Sequence, residues 1–247
     1  MMRNLSPLLR VQGLVRRIGE HRLLDGIDLQ LHRGELLGLI GANGSGKTTL
    51  IRCIAGLIPW DAGDIAIDGR LIRQDLTQAR MRLGYAVAPG LLPEVLTGQQ
   101  CLQLFAATRG LDAVPAATLE LAEALRLNGV LYAMIGRYSL GMRQKLSLCL
   151  ALLGEPPLLL LDESLHGLDS LSAYTAKQTL IELVRRERCA VILATHMLDS
   201  TQACMTRVTL LHAGRIDHEW SAADLQLLHD TDGASLERAM VEQLRVL

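Results

Sequence analysis

An α/β fold, in which a parallel sheet carries an added antiparallel β layer and an inserted helical segment, is predicted by three observations. Glu35 to Ile40, Leu158 to Leu161 and Ala190 to Ala194 are short apolar runs of the kind that fill strands buried on both faces. The first of these runs into the glycine-rich stretch Gly41 to Gly46 and then into a helical pattern from Lys47 to Leu57, giving the order strand, loop, helix. Between Gly90 and Gly154 the spacing of apolar residues turns helical, which marks an insertion between the strands.

Each element has its own local reason. From Leu8 to Ile40, short Val/Leu/Ile runs are punctuated by Gly13, Gly19, Gly26 and Gly34, which reads as strands joined by turns in an antiparallel layer. Thr97 with Gln100 forms a capping box at a helix start, Pro115 suits another start, and Leu119, Ala122 and Leu125 repeat near helical spacing. A helix is expected from Ser170 to Arg186, and Val208 to Ile216 reads as a hairpin turned at Ala213 and Gly214. The remainder to Leu247 reads as two short amphipathic helices. The expected organisation is therefore one domain, residues 1–247: a β layer and core over about 8–89 and 155–220, a helical part over about 90–154, and a tail over 221–247.

Composition narrows the function. Of 247 residues, 49% are hydrophobic and 21% charged, the balance of a globular chain with a large core. The net charge of -1 and the lack of any Lys/Arg stripe argue against nucleic acid as a partner. Five cysteines are scattered through apolar stretches without a CxxC pair, so they read as reduced and structural. The longest apolar run, Leu146 to Gly154, is far shorter than the roughly 20 residues a membrane span needs, and no secretory signal is visible. The expectation is a cytoplasmic chain that does not itself cross a bilayer.

The chemistry sits in two stretches. Residues 41–48, GANGSGKT, satisfy the phosphate-binding loop pattern in full and lie between a buried strand and a helix. The glycines let successive N–H groups of Gly41, Ala42, Asn43, Gly44, Ser45 and Gly46 turn inward around a β-phosphate, and the helix start adds a favourable dipole. Lys47 is placed to neutralise the β- and γ-phosphates, the Thr48 hydroxyl to bind Mg²⁺, and Thr49 to complete the nucleotide-binding set. In the second stretch, LLLLDE, an apolar strand ends in two acids at its carboxyl end. Asp162 is the expected Mg²⁺ ligand, and Glu163 the group that polarises the attacking water. ATP and Mg²⁺ are thus the expected cofactors, on a P-loop NTPase (RecA-like) core.

Ser139 by itself reads as a helix cap, and His196 by itself as a histidine at a strand end. Order and spacing reverse both readings. Residues 138–144, YSLGMRQ, resemble a variant of the LSGGQ signature of the ABC ATPases; His196 in LATHM matches that family's switch histidine, and Gly167-Leu168-Asp169 its loop after the two acids. The resemblance covers about Leu8 to Trp220. It implies catalysis by Glu163, His196 and Lys47, a D-loop at Asp169, and two cassettes facing head to tail. Each ATP then lies between one P-loop and the partner's signature residues Ser139, Leu140, Gly141 and Met142. It also implies a separate transmembrane permease subunit, a homodimer of cassettes held at the inner face of the cell membrane, and a transport function similar to ABC-2 type exporters.

Two positions depart from the family pattern. Ile18 stands where an aromatic residue stacks on adenine, which implies weaker ATP binding, and Ala88 stands where a Gln contacts Mg²⁺ and water, which implies slower hydrolysis. The competing readings are a soluble ABC ATPase acting on ribosomes or DNA, and a weakly hydrolysing regulatory module. A single P-loop and the absence of a long heptad run weigh against the first, and retention of Glu163, His196 and Ser139 against the second.

Overall fold

The computed structural model describes residues 6–196, 202–231 and 235–246. Strands β1 (Leu9–Ile18) and β2 (His21–Leu31) pair antiparallel, and β4 (Ala62–Ile67) and β5 (Arg70–Leu71) extend them into a four-stranded sheet of order β2-β1-β4-β5. The second sheet has six strands. Its order is β10 (Arg215–Trp220), β9 (Arg207–His212), β3 (Leu36–Ile40), β8 (Ala190–Ala194), β7 (Leu158–Asp162) and β6 (Leu83–Tyr85). The five strands from β9 to β6 run parallel, and β10 folds back antiparallel at the edge.

The glycines of the first layer divide into two kinds. Gly19 lies in the β1–β2 turn, but Gly13 and Gly26 fall inside β1 and β2, at φ +55 and +72, beside interruptions of the pairing register. They make bulges rather than turns, so the expected series of short strands is two long bent ones. The β9–β10 hairpin turns at Ala213 and Gly214, as the sequence indicates, with both residues at positive φ. That backbone matches the right-handed twist of the flanking strands.

Alternation along the parallel strands explains why their sequences are apolar throughout. Leu159, Leu161, Val191 and Leu193 join a core with α5 (Leu140–Leu152) and α6 (Ser170–Arg185), through Leu146, Leu150, Leu180 and Val184. Leu158, Leu160, Ala190 and Ile192 face the other way, onto Leu50, Ile51 and Ile54 of α1 (Lys47–Ile54) and onto Leu9, Val11 and Ile27 of the antiparallel sheet. Both faces are therefore dry. Each fully buried Leu contributes about 1.5–3 kcal/mol, so the strands that carry the candidate site are fixed by packing on two sides.

The intervening chain holds α2 (Leu76–Met81), α3 (Gly98–Thr108) and α4 (Ala116–Ala124). Thr97 and Gln100 form the capping box of α3, and Pro115 caps α4, as their sequence positions indicate. Ala122 and Leu125 are buried, whereas Leu119 is exposed, so the α4 stripe is narrower than its spacing suggests. Two helices close the described chain: α7 (Ala222–Asp230), with a capping box at Ser221, and α8 (Leu236–Val246). All five cysteines are buried, and burial pushes the Cys149 thiol up to about 12, which keeps it in the inert thiol form. Among the described residues, no helix is long and apolar enough to cross a membrane.

Candidate functional site

The loop between β3 and α1 requires glycine at two places. Gly41 has φ +147 and a Cβ there would meet the Leu211 carbonyl oxygen at 2.1 Å; Gly46 has φ +112 and a Cβ would meet that of Leu23 at 2.8 Å. Backbone from β9 and β2 thus presses on the loop from two sides and shapes its curve. Within that curve the buried Lys47 ammonium donates to the carbonyls of Gly41 (2.7 Å) and Ala42 (3.0 Å). Burial lowers the Lys47 pKa, and the charges of Glu163 and Asp162 oppose the shift, which places the lysine between the loop and the two acids.

β7 ends on those acids. Burial raises the Asp162 pKa, a hydrogen bond from Thr48 works against it, and the Asp162 Oδ1 atom is buried with no hydrogen-bond partner among the described residues. Glu163 carries a second buried orphan, Oε2, on a backbone at φ +51. That conformation is uncommon for a residue with a side chain, and its cost is of order 1–3 kcal/mol. It is fixed at both ends: the Glu163 N–H donates to the Ala194 carbonyl at 2.9 Å, and the Glu163 carbonyl accepts from the His166 N–H at 3.1 Å.

His196, just past β8, sets its Nδ1 3.0 Å from Oε1 of Glu163, and its ring lies 5.5 Å from that of His166. The register of β7 against β8 pairs Asp162 with Ala194, so acid and histidine leave the sheet at the same level. Lys47, Thr48, Asp162, Glu163 and His196 therefore meet at the carboxyl end of one parallel sheet, where open α/β folds bind ligands. The buried, unpartnered carboxylate oxygen beside a threonine hydroxyl suits a hard cation with oxygen ligands. Among the described residues no cluster of three or more His, Cys, Asp or Glu side chains is placed to hold a metal ion.

The signature residues are positioned by α5. Ser139 is its N-cap, with Oγ accepting from the Met142 N–H at 3.2 Å, and Leu140 beside it is exposed. Gly141 lies so close to the loop after the acids that a Cβ would come within 3.1 Å of the Gly167 carbonyl. Two buried side chains of α5, not anticipated from the sequence, tie the helix to that loop. Gln144 donates from Nε2 to the Ser164 carbonyl at 2.8 Å, and the Lys145 ammonium sits 2.7 Å from Oδ2 of Asp169. Asp169 also caps α6 through the Ser172 N–H, and Lys145 and Ser172 together hold its carboxyl well below the usual range. The available signal was a pair of polar residues among the apolar ones of YSLGMRQKLSL, but nothing in the sequence names their partners.

The departures also have places. Ile18 ends β1 opposite His21 and is exposed. Ala88 follows β6: the Ala86 N–H donates to Leu160 and the Ala88 carbonyl accepts from Leu91 at 2.8 Å, so Ala88 lies beyond the same sheet end as Asp162. Its methyl group offers no ligand there. Ala88→Gln is expected to raise the ATPase rate several-fold, read as phosphate release under saturating Mg²⁺ and ATP; an unchanged rate means that another group already fills the role.

The fold and the site define a P-loop nucleotide-binding cassette of two sheets. A family model described as ABC transporter matches residues 24–166. The chain is 35% identical over 243 residues to the uncharacterized ABC transporter ATP-binding protein YdbJ of Bacillus subtilis, covering 96% of this chain and 74% of that protein. It is 34% identical to the daunorubicin resistance ATP-binding protein DrrA3 of Streptomyces coeruleorubidus, over 87% of this chain and 69% of that one. The solved ATP-binding subunit of an ABC transporter superposes with a TM-score of 0.83 at 30% identity, covering 96% of this chain and 99% of that one. An ATP-binding cassette solved as a dimer in a post-hydrolysis state bound to ADP and Pi shares the fold, with a TM-score of 0.79 at 22% identity over 87% of this chain and 98% of that one. The chain belongs to the ABC transporter family, as an ATP-binding cassette with ATPase chemistry.

Proposed function

We propose that this cassette is the ATP-hydrolysing subunit of an exporter whose membrane-spanning part is a separate permease polypeptide. The observation that carries the reading is the convergence of Lys47, Thr48, Asp162, Glu163 and His196 at one sheet end, on strands packed from both faces. In this reading Gly41, Ala42, Asn43, Gly44, Ser45, Gly46 and Thr49 line the triphosphate with backbone and hydroxyl donors, and Lys47 offsets its charge. Thr48 and Asp162 hold Mg²⁺, which supplies charge neutralisation on the phosphates. Glu163 orients and polarises the attacking water, and His196 steadies its carboxylate through the 3.0 Å contact. Ser139, Leu140, Gly141 and Met142 complete the site of a second copy, so two chains close head to tail around two nucleotides. The exposure of Ser139 and Leu140 is consistent with that use.

Export is supported by the names of relatives: besides the daunorubicin resistance protein, they include the Nod factor export ATP-binding protein I of Ralstonia nicotianae and the bacitracin transport ATP-binding protein BcrA of Bacillus licheniformis. A groove of about 400 Å³, bounded by Leu57, Met81, Tyr85, Phe105 and Leu150, supports a docked membrane subunit, because Leu57 and Met81 leave large apolar side chains exposed there. The protein then works in the cytoplasm, at the inner face of the membrane. Affinity capture of the tagged chain from native membranes tests the proposal. A hydrophobic multi-span protein is expected to co-purify, with ATPase activity that depends on Mg²⁺; co-sedimentation with ribosomes or DNA instead overturns it.

A further inference from the structure

The last helix is attached by one stripe. In α8, Leu236 is buried and Ala239, Met240 and Leu244 are half-buried against the main core, a spacing that puts all four on one helix face. Glu237, Arg238, Val241, Glu242 and Arg245 occupy the exposed remainder, and the ion pair between Arg238 and Glu242 lies within the helix at 3.0 Å. A helix of eleven residues is marginal in isolation. Its order therefore depends on what its apolar face touches.

Half of that face borders a cavity beside the candidate nucleotide site. Met240 and Leu244 line a cavity of about 230 Å³ whose other walls include Gly41, Ala42, Asn43 and His196. The carbonyls of Gly41 and Ala42 hold the Lys47 ammonium, and His196 bears on Glu163, so one cavity adjoins both halves of the site. The cavity is large enough to hold water, so a change that narrows it removes apolar surface of Met240 and Leu244 from water and strengthens the docking of α8. Met240 is suited to follow such a change, because an unbranched thioether repacks easily.

We propose that α8 is a nucleotide-responsive strap: closure of its Met240–Leu244 face on the first turn of the P-loop, and binding of a nucleoside triphosphate there, favour one another. Triphosphate draws the 41–43 backbone and His196 into a fixed arrangement, which gives the helix a defined wall to close on. Linkage makes the effect mutual: whatever factor the nucleotide adds to α8 docking, α8 docking adds to nucleotide affinity. The inference rests on the assignment of residues 41–49 as the nucleotide site.

The experiment uses the full chain, a non-hydrolysable ATP analogue and Mg²⁺. Hydrogen exchange of the α8 amides is expected to slow by about fivefold or more when the analogue binds. The pair Met240→Glu with Leu244→Glu, which places charge on the docking face, is expected to weaken analogue binding by a similar factor; Glu242→Ala, on the exposed face, is expected to leave it unchanged. Binding to the wild-type chain with no slowing of α8 exchange overturns the strap while leaving the site assignment intact. Failure of the wild type to bind the analogue removes both. Should the double variant melt early, exchange measured on the wild type decides alone.

Discussion

Glu163→Gln is expected to lower ATP turnover by about 10²–10⁴-fold while leaving ATP bound. The amide keeps the shape of the carboxylate and an oxygen for the contact with His196, so neither the loop nor the strand end has reason to move. It gains no release from the φ of +51, because glutamine is as restricted there as glutamate. On the proposed assignment, what is lost is the negative charge that polarises water, and with it the means of leaving the triphosphate state. Gel filtration with Mg²⁺ and ATP is then expected to show a stable dimer that the wild type forms only in passing. Equal turnover in the two proteins identifies a chain that binds nucleotide without hydrolysing it at this residue, the role to which Ala88 points.

Asp162→Asn is expected to act with opposite signs on stability and on function. Burial raises the Asp162 pKa, and the Thr48 hydrogen bond only partly counters it. A folded-state pKa above the unfolded value, near 3.9, means that stability present at lower pH is lost as pH rises through the folded value. Asparagine does not titrate and is spared that loss. In chelator at pH 7 the variant is therefore expected to melt above the wild type, and the difference to vanish below about pH 4. Adding Mg²⁺ and ATP reverses the order, because ligand stabilises only the chain that can hold the metal. A variant that melts lower in chelator contradicts the burial argument, and one that Mg²⁺ and ATP stabilise as fully as the wild type contradicts the assignment of Asp162 as the metal ligand.

The parallel sheet was legible because burial on both faces leaves no choice of residue: Leu158 to Leu161 cannot be anything but apolar when Leu159 and Leu160 face different cores. The loop at Gly41 and Gly46 was legible for a related reason, since backbone pressing from two sides excludes side chains. Gly13 and Gly26 misled, because a bulge and a turn ask the same φ of a glycine and only the pairing register separates them. Leu119 misled because helical spacing gives the direction of an apolar stripe without its width. The partners of Gln144 and Lys145 lie across the fold, and no local pattern encodes them. For α8 the sequence shows an amphipathic face, and only the folded chain shows that Met240 and Leu244 share a cavity with the P-loop.

The anchoring of α5 at Ser164 and Asp169 bears on how two copies of this subunit keep time. In the proposed head-to-tail pair, the acid strand of one chain would serve its own nucleotide while the start of its α5 would serve the other. The buried Gln144 amide and the Lys145 ammonium tie that helix to the segment 163–169, so a displacement of the segment would carry α5 with it. Each polypeptide of such a pair would be a lever with one arm in either chamber, its two ends joined by the Gln144 and Lys145 contacts.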